Sequence, residues 1–520
     1  MRRRRGALTA WGIALALLFS ACHNGSGGTP VRGGTLRVSV RDLGSLDPAA
    51  ASGRGALLVV EQLFDPLTRV DGKSGKLVPD AAASWTRAPN GLSWTFTLAK
   101  ATFHDGTPVT ATDFKAAFDR VTRKSTGSER AFQLEAVKGF RAVKIDGTQQ
   151  SLAGVVAVNP TTLRIDLDRP FDELPVYLAD PALGPLAKSM AANPALLQQQ
   201  PIGNGPFKMA KPRTANQVVL DRFDGRAGRS SYLDRLEVDL QGDSNQAWHD
   251  FLAKRTDVAE VPTDALSSGR AKAGEGGFTA YWAALYYGPN LHSPKFAKPA
   301  FRQAISLAID RKRIAQIVYG GTKEPASGLI PRGVRGFAPN VCSVCVLDQD
   351  RARQLVQQAY GSKPPVIVVD HLDDVTQKAV AEEIVRDLKA VGVNSSLRAH
   401  KSKDYLAFLQ SGQDELAEYG WLTEVPSPDG FLAQQLRTGS VNNHTGYSTL
   451  TFDRLIDQAR ATPDEAARLN LYRQAEARSF DLMPLIPIVF FRNHVGVADR
   501  VHGLRVDGAG LFDAAAVWIH

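Results

Sequence analysis

Residues 366–397 constrain the fold more than any other stretch of the chain. Val366–Val369 is an apolar run too short for a helix. Ala379, Val380, Ile384, Leu388 and Val391 then recur at helical spacing until Gly392 stops them, and Val393–Leu397 reads as a strand again. A strand, a helix and a strand within about 32 residues fit a right-handed parallel crossover. The chain has 520 residues, which points to several domains rather than one.

Other segments repeat both periods. Leu36, Val38 and Val40 alternate with polar residues, a half-buried strand ended by the turn Ser45-Leu46-Asp47-Pro48. Leu92, Trp94, Phe96 and Leu98 form a second strand, entered through Asn90-Gly91. Thr110 and Asp113 mark a helix start, and Phe114, Ala117, Phe118 and Val121 give that helix one buried face. Phe301, Ala304, Ile305, Ala308 and Ile309 predict another helix, running toward Tyr319. A helical stretch from Asp464 to Asp481 leads into the apolar strand Leu485–Phe491. The pattern is α/β, with mixed sheets in more than one lobe.

The N-terminus reads as an address. Arg2–Arg5 precede an apolar run from Ala7 to Phe19 and the small residues Ser20-Ala21, the pattern of a secretory signal over residues 1–21. The run is too short for a bilayer core, which needs roughly 20 residues. Leu18-Phe19-Ser20-Ala21-Cys22 resembles the bacterial lipobox, so Cys22 is the expected lipidated residue and 22–32 a flexible tether. The expected product is extracytoplasmic and lipid-anchored to the cell membrane. The formal net charge is +9, and four of those charges are Arg2–Arg5. The remaining weak, scattered excess excludes a nucleic-acid partner, which would need a concentrated basic face.

Signatures of catalysis are missing. No Gly-x-Ser-x-Gly elbow and no His-Glu-x-x-His pair occurs, and the ten histidines are scattered. Gly72-Lys73-Ser74 echoes a phosphate loop, but Leu67 stands where its first glycine belongs. Gly203-Asn204-Gly205 lacks the third glycine of a dinucleotide fingerprint and runs into Pro206. The chain is therefore expected to be no enzyme, with no catalytic residues and no cofactor. Cys342-Ser343-Val344-Cys345 has metal-like spacing, yet no second ligand pair accompanies it. No metal is expected, and a disulfide between Cys342 and Cys345 is the plain reading for an exported chain.

Taken in order, many segments resemble the oligopeptide- and dipeptide-binding lipoproteins of bacterial ABC importers, solute-binding protein family 5. They include Gly33-Gly34-Thr35-Leu36-Arg37-Val38, Leu77-Val78-Pro79-Asp80-Ala81-Ala82-Ala83-Ser84-Trp85 and Phe103-His104-Asp105-Gly106-Thr107-Pro108-Val109-Thr110. Pro201-Ile202-Gly203-Asn204-Gly205-Pro206-Phe207 and Phe301-Arg302-Gln303-Ala304-Ile305-Ser306-Leu307-Ala308-Ile309-Asp310-Arg311 follow in sequence. The resemblance implies a bilobed fold, type II-like among periplasmic binding proteins, with an extra third domain. Lobe I would draw on 33–76, 198–286 and 488–520, the extra domain on 77–197, and lobe II on 287–487.

The resemblance also implies a ligand site. Gly420-Trp421-Leu422-Thr423-Glu424-Val425-Pro426-Ser427-Pro428 is similar to the family's Gly-Trp-x-x-Asp-Tyr-x-Asp-Pro stretch. Its first Asp meets a peptide's α-ammonium, so Glu424 and Trp421 become candidate ligand-binding residues. Val425 and Ser427 depart from the pattern. Asn443 and Tyr447, in Asn442-Asn443-His444-Thr445-Gly446-Tyr447, are similar to a cleft-lining loop, and Asn290 matches an Asn of the second inter-lobe strand. The implied function is capture of short peptides by a monomer and delivery to a membrane permease. A nickel chelate, haem or oligosaccharide is the alternative ligand within the family, and a secreted hydrolase is the rival class.

Overall fold

The computed structural model describes residues 29–72, 75–226, 230–270 and 277–520. Cys22, with the whole signal segment, and Lys73-Ser74 lie outside the described residues.

The alternating run near the N-terminus becomes the strand Thr35–Val40, with Leu36, Val38 and Val40 buried on one face. It lies inside a six-stranded mixed sheet, parallel to Arg235–Leu240 on one side and to Val258–Glu260 on the other. Antiparallel strands Gln217–Arg222 and Phe207–Met209 extend one flank, and Val495–Val497 closes the other. Sequence-distant segments thus share one core. The helix Arg54–Leu63 belongs to this body and buries Leu57, Leu58, Val59, Val60 and Leu63.

The crossover builds the second six-stranded sheet. Ile367–Leu372, the helix Val375–Ala390 and Ser395–His400 follow one another, and the two strands pair in parallel with Ile367 opposite Ser395. Asp374 starts the helix by accepting from the N–H groups of Thr376 and Gln377 at 2.8 and 3.1 Å. Leu416–Leu422, Ala280–Pro289, Ile486–Arg492 and Glu324–Pro325 complete the sheet. Pro487 sits inside it, where the register against Leu285 and Tyr286 shifts and one ladder bond is dispensable. Two expected boundaries fall inside these strands. The chain joins the second sheet at Ala280 rather than at 287, and leaves it after Arg492 rather than at 487.

A third, four-stranded antiparallel sheet comes from Ala82–Arg87, Ser93–Leu98, Thr162–Asp166 and Val155–Asn159. Trp94, Phe96 and Leu98 turn inward. The helix Ala111–Thr122 packs beside it, with Phe114, Ala117, Phe118 and Val121 buried. Asp113 Oδ2 accepts from the Thr110 N–H at 2.8 Å and from the Thr110 hydroxyl at 2.7 Å, which sets the helix start.

The helix expected from Phe301 to Tyr319 is broken in two. Pro299–Ala308 ends at Ile309, which is extended, and Arg311–Ile317 begins afresh behind Asp310. Arg311 causes the break. Its buried guanidinium donates to the carbonyl and the hydroxyl of Ser306, at 2.9 and 2.8 Å, and so ends the first helix. Asp310 caps the second through the Arg313 N–H at 2.9 Å. Gly203-Asn204-Gly205 is a close approach as well as a turn. A Cβ on Gly203 would lie 1.9 Å from the Leu63 carbonyl, and Asn204 exchanges hydrogen bonds of 2.9 and 3.0 Å with the backbone of Asp65. Cys342 and Cys345 are joined by a disulfide in the loop before the helix Gln349–Tyr360, and both are buried.

Candidate ligand-binding cleft

The chain passes between the two six-stranded bodies at Thr279 and at Asn493. Asn493 is fully buried and ties the passage together. Its amide donates to the Asp507 carbonyl at 2.7 Å, the Thr279 hydroxyl at 3.0 Å and the Ala280 carbonyl at 3.2 Å. Its carbonyl accepts from Arg54 at 3.0 Å. The loop carrying Asp507 is pressed onto the second body at Trp282, whose N–H donates to the Gly508 carbonyl at 2.6 Å. A Cβ at position 508 would fall 1.9 Å from the Trp282 indole nitrogen, so glycine is required there.

Two cavities flank the helix Arg54–Leu63, and that helix and the 506–512 loop contribute to both. The larger, of about 240 Å³, lies at the C-terminal ends of the parallel strands Thr35–Val40 and Val258–Glu260, where open α/β sheets bind ligands. The smaller is a cavity of about 40 Å³. It gathers Glu61 and Leu57 from the helix, Asp180 from the segment after the third sheet, Trp282 and Glu424 from the second body, and Asp507.

Glu424 follows the strand Leu416–Leu422. The Thr423 N–H donates to the Trp282 carbonyl at 3.0 Å, which fixes the segment against the cavity. The Glu424 carboxylate is ion-paired with Arg130, which also lies 3.6 Å from Asp180. Burial pushes Glu424 up from its ordinary range, and Arg130 pulls it back. Across the cavity, burial and then Asp507 and Asp513 push the Glu61 carboxyl well up, with Arg69 opposing. Asp507 is pushed up to about 6 by burial, against the N–H groups of Leu511 and Ala509 that donate to it at 2.9 Å. This is a charged chamber with an apolar lip of Leu57, Trp282 and Leu511.

The family model for bacterial extracellular solute-binding proteins, family 5 Middle, matches residues 76–443. The chain belongs to that family. Its members bind solutes rather than transform them, and they do so outside the cytoplasm. This solute-binding protein is 24% identical to the dipeptide-binding protein DppE of Bacillus subtilis, over 97% of each chain. It is 28% identical to the periplasmic murein peptide-binding protein MppA of Escherichia coli, over 86% of each chain. The structure of MppA, in a form described as unliganded and open, superposes with a TM-score of 0.83, covering 95% of this chain and 99% of that one at 23% identity. The two six-stranded bodies are thus the lobes of a bilobed binding-protein fold.

The other expected site residues sit differently from Glu424. Trp421 lies in the second sheet opposite Ala284, partly buried, with its indole nitrogen shut off from solvent and without a partner among the described residues. The Asn290 amide donates to the carbonyls of Gly412 and Asp414 at 3.0 and 3.1 Å, and its carbonyl accepts from the His292 N–H at 3.0 Å. Asn443 donates to the Tyr447 carbonyl at 2.6 Å and accepts from the Tyr447 N–H at 3.2 Å, closing its own loop. Tyr447 is buried against Phe452. None of these four lines either cavity. Glu61, Arg130, Asp180 and Asp507 went unnoticed in the sequence. Glu61 carried a signal, because it is the one charge in the apolar helical run Ala56–Leu63. Arg130 and Asp507 carried none, since each reads as an ordinary surface or turn residue.

Proposed function

We propose that the protein is a monomeric, extracytoplasmic lipoprotein, anchored through Cys22, that captures short peptides between its lobes and delivers them to the permease of an ABC importer. In this reading lobe I comprises 33–76, 198–279 and 493–520, lobe II comprises 280–492, and 77–197 is the extra domain. The observation that carries it is the charged chamber where both lobes and the segment behind the third sheet meet, in a chain several of whose relatives are named for peptides. A peptide held there would lose water at both charged ends, so the protein must supply the counter-charges. The carboxylates lining the cavity and the Arg69 guanidinium among them supply both signs.

Native mass spectrometry of the purified protein tests this directly. A ladder of co-purifying short peptides is the expected result. A single metal complex, porphyrin or sugar would replace the peptide reading with the alternative ligand class. The anchor has its own check: Cys22→Ala releases the protein from the membrane fraction or blocks its processing, and full retention on membranes would place the anchor elsewhere.

A further inference from the structure

Four carboxylates wall the smaller cavity, and three are answered from within the chain. Glu424 has Arg130. Asp180 accepts from the Ala182 N–H at 2.7 Å and from the Gln133 amide, with Arg130 at 3.6 Å. Asp507 accepts the N–H groups of Ala509 and Leu511. Glu61 is the exception. Its Oε2 is shut off from solvent and has no hydrogen-bond partner among the described residues. A buried carboxylate oxygen without a donor is the costliest arrangement of such a group, and a ligand donor relieves it.

We propose that Glu61 receives the cationic end of the ligand, the α-ammonium where the ligand is a short peptide, with the Glu424–Arg130 pair beside it as a charge-neutral wall. The assignment rests on the reading of the cleft as a peptide site. An ammonium brings three donors, which Glu61 Oε2 lacks; Arg69, in the same cavity, offsets part of its charge, but among the described residues nothing donates to that oxygen. Glu424 would have to release Arg130 to take the same ammonium, leaving that guanidinium only Asp180 at 3.6 Å. Exchanging one cation for another there gains little; adding a cation at Glu61 gains a full pair. The groups acting on Glu61 are Asp507, Asp513 and Asp80, which repel its charge, and Arg69, which opposes them. Burial raises the Glu61 carboxyl, and an arriving ammonium would oppose that shift.

Calorimetric titration with trialanine and N-acetyl-trialanine, on wild type, Glu61→Gln and Glu424→Gln at pH 7, separates the two acceptors. Acetylation is expected to weaken wild-type binding by about tenfold or more, the scale of a desolvated charge pair. Glu61→Gln is expected to bind trialanine more weakly by a similar factor and to lose most of the acetylation penalty, because each change removes the same interaction. In Glu424→Gln the acetylation penalty persists. A penalty that survives in Glu61→Gln and vanishes in Glu424→Gln overturns the assignment, as does wild-type binding without a penalty. If neither trialanine nor a mixed tri- and tetrapeptide library binds wild type, the peptide reading falls and this assignment falls with it.

Discussion

Two sets of carboxylates, one between the segment after the third sheet and the second six-stranded body and one lining the smaller cavity, are treated in opposite ways. Behind the cleft, Asp429 holds Arg460 through two hydrogen bonds of 2.7 and 2.8 Å, and the hydroxyls of Tyr472 and Tyr177 donate to it at 3.0 and 3.2 Å. Glu173 joins Arg468 and Arg335, each at 2.7 Å. These pairs strap the segment after the third sheet to the helices Leu450–Arg460 and Glu465–Leu482 and to the loop at Arg335. In the cleft, Glu61 has an oxygen with no donor and is pressed by like charges. A buried charge that is fully met is architecture. One left unmet is a place for something to bind.

Breaking the met set should do the most damage. Arg460→Met removes the counter-charge and two donors from a carboxylate that cannot reach water. It is expected to cost about 3–5 kcal/mol of unfolding free energy, read by denaturant titration. The pH dependence follows. Burial alone would push Asp429 up, yet Arg460 and the two tyrosine hydroxyls hold it below the usual carboxylate range. Its stabilising contribution is therefore complete above the unfolded value of about 3.9, and is lost as pH falls through the lower folded value. Arg460→Met should remove that acid limb.

Asp507 should show the reverse sign. Its folded carboxyl is pushed up to about 6, so the native state binds more protons than the unfolded chain between about pH 4 and 6. Wild type should lose stability there as pH rises, by about 3 kcal/mol at most. Relative to wild type, Asp507→Asn should gain stability across that window and level off above it. Parallel unfolding curves for the two proteins would mean that burial does not raise the Asp507 carboxyl.

The helix at 111–122 and the crossover at 367–400 were legible because their burial follows a local period. The break at Ile309 was not, because Arg311 reaches its carbonyl partners only in the folded body. The candidate site divided in the same way. The loop at Asn443 showed in the sequence as a loop, but its amide is engaged within that loop rather than at either cavity. Glu424 was visible from its neighbours, whereas Arg130, its partner, lies in a distant segment that no local pattern connects to it. Pairing decides what a charge does, and pairing is tertiary.

A smaller effect is expected away from both sets. Replacing Cys342 and Cys345 together by Ser should cost about 2 kcal/mol, toward the low end for disulfides because the closed ring is short. Non-reducing peptide mapping of the exported protein should find the two joined; alkylatable thiols at both positions would count against the bond.

The most direct test is thermal unfolding of Glu61→Gln beside wild type, each with and without trialanine. The variant should melt higher than wild type in the absence of peptide, by the equivalent of about 1 kcal/mol, since binding residues are commonly held at a stability cost. Trialanine should raise the wild-type midpoint clearly and the variant's hardly at all. A variant that melts lower than wild type and still responds fully to peptide would contradict the account, because Glu61 would then belong with the met charges of the fold.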